Sequence, residues 1–165
     1  SGIMTAAESK LAFSIHNYVG AVGTIICGWI SAKFFKGKCA PANVIFMSLV
    51  TVGALIYWQI PALAAATGIA AKVWAYVALI LIGFCIYGPV ALVTIQAVNL
   101  VPKNATGTAA GFVGIFGYLV GDSLLSKIIV GSIADYSWDA ANLTMVIGAA
   151  LGVVLCILTI KSEKA

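Results

Sequence analysis

Arginine is absent from this chain of 165 residues, and charged residues of every kind make up only 8% of it. Its nine basic residues are therefore all lysines, scattered over short segments. That excludes nucleic-acid recognition, which needs concentrated basic patches. Histidine occurs once, at His16, so the chain cannot form a multi-histidine metal site by itself. Cys27, Cys39, Cys85 and Cys156 show no C-x-x-C spacing, and small apolar filler is the better reading of them. There is no phosphate-cradling glycine loop ending in Lys-Ser/Thr and no zinc-protease helix motif. Two formal glycosylation sequons, at Asn104 and Asn142, fall in an expected cytoplasmic loop and inside an expected membrane helix. Residues Ser1–Lys10 read as a short polar lead-in rather than a cleavable signal. Neither an enzyme nor a cofactor is expected.

What the chain does contain is apolar. Hydrophobic residues make up 62% of it, and the mean hydropathy is +1.11. A soluble domain is about 45–50% apolar and about a quarter charged. Such a chain lacks the polar exterior that water requires, and the lipid bilayer is the alternative solvent.

Long apolar runs test that idea. They cover Leu11–Ala32, Asn43–Ile60, Val73–Val101, Gly107–Ala134 and Ala140–Ile160. Each approaches or exceeds the roughly 17–25 residues that cross about 30 Å of hydrocarbon as helix. Period-two alternation is missing, and barrel strands are only about 9–11 residues long. The expected fold class is all-α, a polytopic transmembrane bundle with five spanning helices.

Lysine placement orients the bundle. Lys33, Lys36 and Lys38 fill the first connection, Lys103 the third, and Lys161 and Lys164 follow the last run. Lys10 and Lys72 stand on the other side. The excess puts the first and third connections and the C-terminus in the cytoplasm and the N-terminus outside. Tyr57, Trp58, Trp74, Tyr76, Tyr136 and Trp138 form the external aromatic belt, with Trp29 at the inner end.

Two features inside the runs point to helix packing or a pathway. Gly107, Gly111, Gly114, Gly117 and Gly121 recur three or four apart, a small-residue face that admits another helix closely. Gly88-Pro89 is expected to break the hydrogen-bond ladder of the third run near its middle, as helices lining cavities often do.

Two segments carry a resemblance. "IYGPVALVTIQAVNLVPKNATGTAAGFVGIFGYL", Ile86–Leu119, resembles the helix 10–loop–helix 11 region of the organophosphate:phosphate antiporters of the major facilitator superfamily. "NYVGAVGTIICGWISAKFFKG", Asn17–Gly37, resembles the eighth helix and following loop of the same family. The similarity runs from about Leu11 to the C-terminus and implies helices 8 to 12 of twelve, with helices 1 to 7 as missing partners. It further implies exchange of an organic phosphate, glycerol 3-phosphate being the expected one, for inorganic phosphate in the bacterial inner membrane. Family members clamp phosphate with arginines on helices 1 and 7, so a chain without arginine is what this portion should give. A membrane sensor of sugar phosphates is the alternative of another class.

Site residues follow from the resemblance only where motifs match. Tyr87 in "IYGP" and Tyr118 in "FGYL" stand at tyrosines associated with the family's central cavity. A phenol can donate to a phosphate oxygen without adding fixed charge; burial in helix packing is the other reading of both. His16, Asn17 and Tyr18 occupy a Tyr-Glu-Tyr position, so Asn17 replaces an acid. Gln96 and Asn99 replace a histidine and a glutamate, and Ala32 replaces the aspartate of "GW-x-S-D-K". His16, Asn17 and Gln96 join the two tyrosines as candidate substrate-binding residues.

Asp122 and Lys127 lie inside the fourth run, where the family has small apolar residues. Five residues apart, they do not stack as an i, i+4 pair. Lys127 can snorkel outward, whereas Asp122 should face the bundle interior as a pathway or helix-pairing residue.

Overall fold

The computed structural model describes residues 5–119, 121, 132–133 and 137–162. Asp122, Lys127 and Tyr136, and most of the second half of the expected fourth run, lie outside the described residues. Among the described residues all regular structure is helical, with no strand.

Helix α1 spans Ala6–Phe34 and begins at a capping box. The Glu8 amide donates to Thr5 Oγ1 at 3.3 Å, and the Thr5 amide donates to Glu8 Oε2 at 2.7 Å. Two amides that the helix start leaves without partners are thus satisfied reciprocally. The far end turns sharply through Lys36 and Gly37, both at positive φ. The Phe35 and Gly37 amides donate to the Ser31 carbonyl, and buried Ser31 Oγ donates to the Lys38 carbonyl at 2.9 Å. The first lysine-rich connection is therefore a compact, hydrogen-bonded turn.

Helix α2 follows at once, Cys39–Trp58, with Pro41 in its first turn, where no amide is needed. It starts before the expected Asn43 boundary. Beyond Gln59 the chain forms a separate short helix α3, Ile60–Thr67, closed by Gly68 in the left-handed region at φ 68°. Helix α4, Ala71–Asn99, is continuous. The expected break at Gly88-Pro89 does not interrupt it: Pro89 removes one donor, and the helix continues on both sides. A 3₁₀ turn, Lys103–Ala105, leads into α5, Thr106–Ile115, whose path widens to π geometry over 116–119. Helix α6 spans Trp138–Ser162.

Among the described residues four helices, α1, α2, α4 and α6, are long and apolar enough to cross a membrane. Helix α4 is the centre: α1 and α2 pack against it, α5 docks beside it, and α6 packs on α2. Cys27, Cys39, Ala42, Phe46, Val50, Cys85 and Leu92 make the buried core of this arrangement. Cys27 and Cys85 among them are free thiols. Outward-facing side chains are also apolar, with Tyr18, Ile25 and Trp29 all exposed on α1. A bundle with greasy faces on both sides is built for lipid or for further helices rather than for water.

At one end of the bundle the elements are tied by polar contacts. Lys72 Nζ pairs with Glu8 Oε1 at 2.6 Å, joining the starts of α1 and α4. Trp74 Nε1 donates to Thr67 Oγ1 at 3.2 Å, joining α4 to α3.

Candidate substrate site

The seam between α1 and α4 is made by glycines. A Cβ on Gly23 would collide with the Phe84 backbone carbonyl, and one on Gly20 with the Tyr87 ring. From the other side, a Cβ on Gly83 would meet His16 Nδ1 at 2.7 Å, and one on Gly88 would meet Cys27 Sγ at 2.6 Å. The two backbones therefore approach as closely as small residues allow. Close packing against α1 also supports α4 where Pro89 weakens its own ladder.

That approach brings three candidate residues together. Tyr87 donates its hydroxyl proton to Asn17 Oδ1 at 2.5 Å. Asn17 Nδ2 donates to the Phe13 carbonyl one turn back, at 2.9 Å. His16 Nδ1 lies 2.9 Å from the Leu79 carbonyl on α4. The His16 ring stacks on Phe13 and meets the Tyr87 ring edge-on, with centroids 6.3 and 5.9 Å away. His16, Asn17 and Tyr87 thus form one half-buried polar cluster between two apolar helices.

The remaining candidates stand apart. Gln96 is buried on α4, nine residues beyond Tyr87 and so about 14 Å along the axis. Tyr118 sits in the widened turn after α5, is 76% exposed, and lines a shallow open groove with Gly114, Ile115 and Leu119. Among the described residues, no hydrogen bond or ring contact joins Tyr118 or Gln96 to the cluster. Asp122 lies outside the described residues.

The expected small-residue face takes a different place in the packing. No described atom would lie within 4 Å of a Cβ on Gly107, Gly111, Gly114 or Gly117. The close helix approach is made instead by Gly20, Gly23, Gly83 and Gly88, whose spacing was the available signal. Asn43 was also missed: it is fully buried, and neither Nδ2 nor Oδ1 has a hydrogen-bond partner among the described residues. Its only sequence signal is an amide at the first position of the expected second run.

Comparison with known proteins bears on this arrangement. The glycerol-3-phosphate transporter of Bacillus subtilis (strain 168) is 40% identical over 158 residues, which is 95% of this chain and 34% of that protein. The membrane sensor protein UhpC of Escherichia coli (strain K12) is 31% identical over 155 residues, 93% of this chain and 32% of the sensor. The hexose-6-phosphate:phosphate antiporter of the same organism is 33% identical over 133 residues, 80% and 26% of the respective chains. This chain therefore spans about a quarter to a third of the length of these relatives. No protein-family model matches it. No solved structure matches it either. With its long apolar helices, the chain is a multi-pass membrane protein. Over most of its length it is a homologue of organophosphate transporters, a hexose-phosphate antiporter and their membrane-sensor relative.

Proposed function

We propose that this chain is the C-terminal part, helices 8 to 12, of a transporter that exchanges an organic phosphate for inorganic phosphate, with glycerol 3-phosphate as the organic substrate. In this reading the whole chain is part of one transmembrane domain, with spans near 11–32, 43–60, 73–101, 107–134 and 140–160. Helices 1 to 7 complete the molecule and supply the arginines that this chain lacks. The protein sits in a bacterial inner membrane, with Lys33–Lys38 and the C-terminus cytoplasmic, as the lysine distribution argues.

The observation that carries the reading is the polar cluster of His16, Asn17 and Tyr87 in an otherwise apolar seam, in a chain 40% identical to a glycerol-3-phosphate transporter. Burying polar groups among apolar helices costs free energy unless they are paired or used. Here the pairing leaves ligand-facing capacity, since the second Asn17 amide proton and His16 Nε2 have no described partner. Tyr118 and Gln96 contribute from the neighbouring helix and from deeper along α4, and Asp122 serves the pathway or helix pairing. Transport proceeds by alternating access, two six-helix halves rocking about a site between them as substrate lowers the barrier to switching.

The identity with a membrane sensor favours a second reading, in which the same fold binds a sugar phosphate and signals to a membrane partner. Vesicles containing the full-length protein separate the two: an antiporter exchanges labelled phosphate for glycerol 3-phosphate, whereas a sensor binds without exchange.

A further inference from the structure

The polar cluster has a fixed proton order, and that order decides what it can offer a ligand. A carbonyl oxygen only accepts. The Leu79 carbonyl therefore holds the proton on His16 Nδ1. The Phe13 carbonyl likewise turns Asn17 Nδ2 toward itself, which points Oδ1 at Tyr87 and makes the phenol the donor. Tyr87 has one proton, and Asn17 takes it. In its neutral form the cluster then presents two acceptors to a ligand, His16 Nε2 and the phenol lone pairs, beside one free Asn17 amide proton. His16 Nε2 has no described hydrogen-bond partner and is not among the fully enclosed unpaired atoms, so it opens outward.

We propose that His16 Nε2 shares one proton with the substrate phosphate, so that this part of the site takes up a phosphate and a proton together. The proposal rests on the organophosphate reading above. A dianionic phosphate carries acceptors only, and facing neutral His16 and Tyr87 it meets acceptors. One proton resolves the conflict: carried on Nε2, it is donated to a phosphate oxygen; carried on the phosphate, it is donated to Nε2. Both descriptions hold the same number of protons. The Nδ1 proton stays with Leu79 in either state, so the ring keeps its position as it gains charge. Tyr87 is then a positioning residue, holding Asn17 so that its free amide proton faces the ligand.

The surroundings of the imidazole are mostly apolar or backbone. Against it stand Phe13 from α1 and, from α4, the Leu79 carbonyl, Gly83 and the Tyr87 phenol. Among the described residues, the phenol is the one titratable group with a ring contact or hydrogen bond to it. Exposed Lys10 and the Glu8–Lys72 pair lie six and eight residues toward the α1 start, about 9 and 12 Å along the axis. Histidine is the side chain whose charge ordinarily changes in the range where phosphate also gains or loses a proton.

The test uses the full-length transporter carrying this segment, purified in detergent, with radiolabelled inorganic phosphate as the probe. Binding is measured between about pH 5.5 and about pH 8, the range of imidazole titration, for wild type and His16→Gln, whose amide donates at every pH. Wild type should lose about tenfold more affinity than the variant across that range, the scale of one charge-assisted hydrogen bond. Calorimetry in two buffers of different ionisation heat reads protons directly. At the alkaline end wild type should take up about one proton more per phosphate than His16→Gln. Matching pH profiles and matching proton uptake in the two proteins overturn the proposal. If His16→Gln does not fold, wild type alone decides, because phosphate binding without proton uptake at the alkaline end overturns it. Wild type that binds neither phosphate nor glycerol 3-phosphate at any pH overturns the transport reading itself.

Discussion

Tyr87 on α4 gives its hydroxyl proton to Asn17 on α1, 70 residues earlier in the chain, and this bond crosses the glycine-lined seam between the two helices. Both residues are half-buried, so neither group can be released to bulk water without cost. The pair should act as a unit. Tyr87→Phe and Asn17→Ala, made singly and together in the full-length transporter, are expected to be non-additive in phosphate affinity, with a coupling of roughly 0.5–3 kcal/mol. Additive losses would mean that the bond does not form in the working protein.

Tyr118 offers the contrast, because its phenol has no described partner and is largely exposed. Its proton is free for a ligand. Tyr118→Phe should weaken phosphate binding by about 1.5–3 kcal/mol, the range for a hydrogen bond to a charged group. Expression should hardly change, since the ring is retained. Unchanged affinity would return Tyr118 to packing against other helices.

The glycine seam makes a stability prediction. Gly23→Ala forces a methyl group into the Phe84 carbonyl, backbone against backbone, where no side chain can yield. Overpacking of this kind costs at least about 1–3 kcal/mol, and thermal unfolding of the full-length protein in detergent should fall accordingly. Gly28 has nothing within 4 Å of its Cβ position, so Gly28→Ala should be neutral or gain up to about 1 kcal/mol from helix propensity. Equal stability of the two variants would remove the seam from the account.

Asn43 should be dispensable for folding. Among the described residues its buried amide has no partner, and an unpaired buried group costs about 1–3 kcal/mol. Asn43→Leu keeps the number and branching of side-chain heavy atoms and removes both unpaired polar groups. The expected outcome is a thermal midpoint in detergent that is unchanged or raised. A clear drop would show that the amide has a partner in the complete transporter.

The long helices were legible because composition alone demands a nonaqueous solvent, and long apolar runs have few other uses. Helix α3 was not. Residues Ile60–Thr67 are as apolar as the helix before them, so hydropathy runs straight through Gln59. Pro61 and Gly68 were the only marks of a separate element. Pro89 shows the opposite error: local chemistry argued for a break, and tertiary packing against Gly20, Gly23 and Cys27 holds α4 continuous. In the site, resemblance named His16, Asn17 and Tyr87 separately. Their meeting depends on the register of two helices more than sixty residues apart, which no local pattern encodes. The glycines that set this register were outshone by the more regular stripe from Gly107 to Gly121, which no described atom approaches over Gly107–Gly117.

Orientation has its own test. The Lys33–Lys38 turn and the Gly68 cap lie at opposite ends of α2 with its α3 extension, and Lys36 and Gly68 are both exposed. Cysteine placed at Lys36 should resist membrane-impermeant thiol reagents in intact cells, and cysteine placed at Gly68 should react. Buried Cys27, Cys39 and Cys85 should contribute little background. The reverse pattern would invert the orientation and the helix numbering with it.

The central claim, exchange of an organic phosphate for inorganic phosphate, is tested most directly by counterflow. Vesicles containing the full-length transporter are loaded with radiolabelled inorganic phosphate and diluted into buffer with or without glycerol 3-phosphate. The account predicts slow loss of label into plain buffer and rapid loss when glycerol 3-phosphate is outside. Loss at the same rate in both buffers, from vesicles shown to hold folded protein, would contradict it.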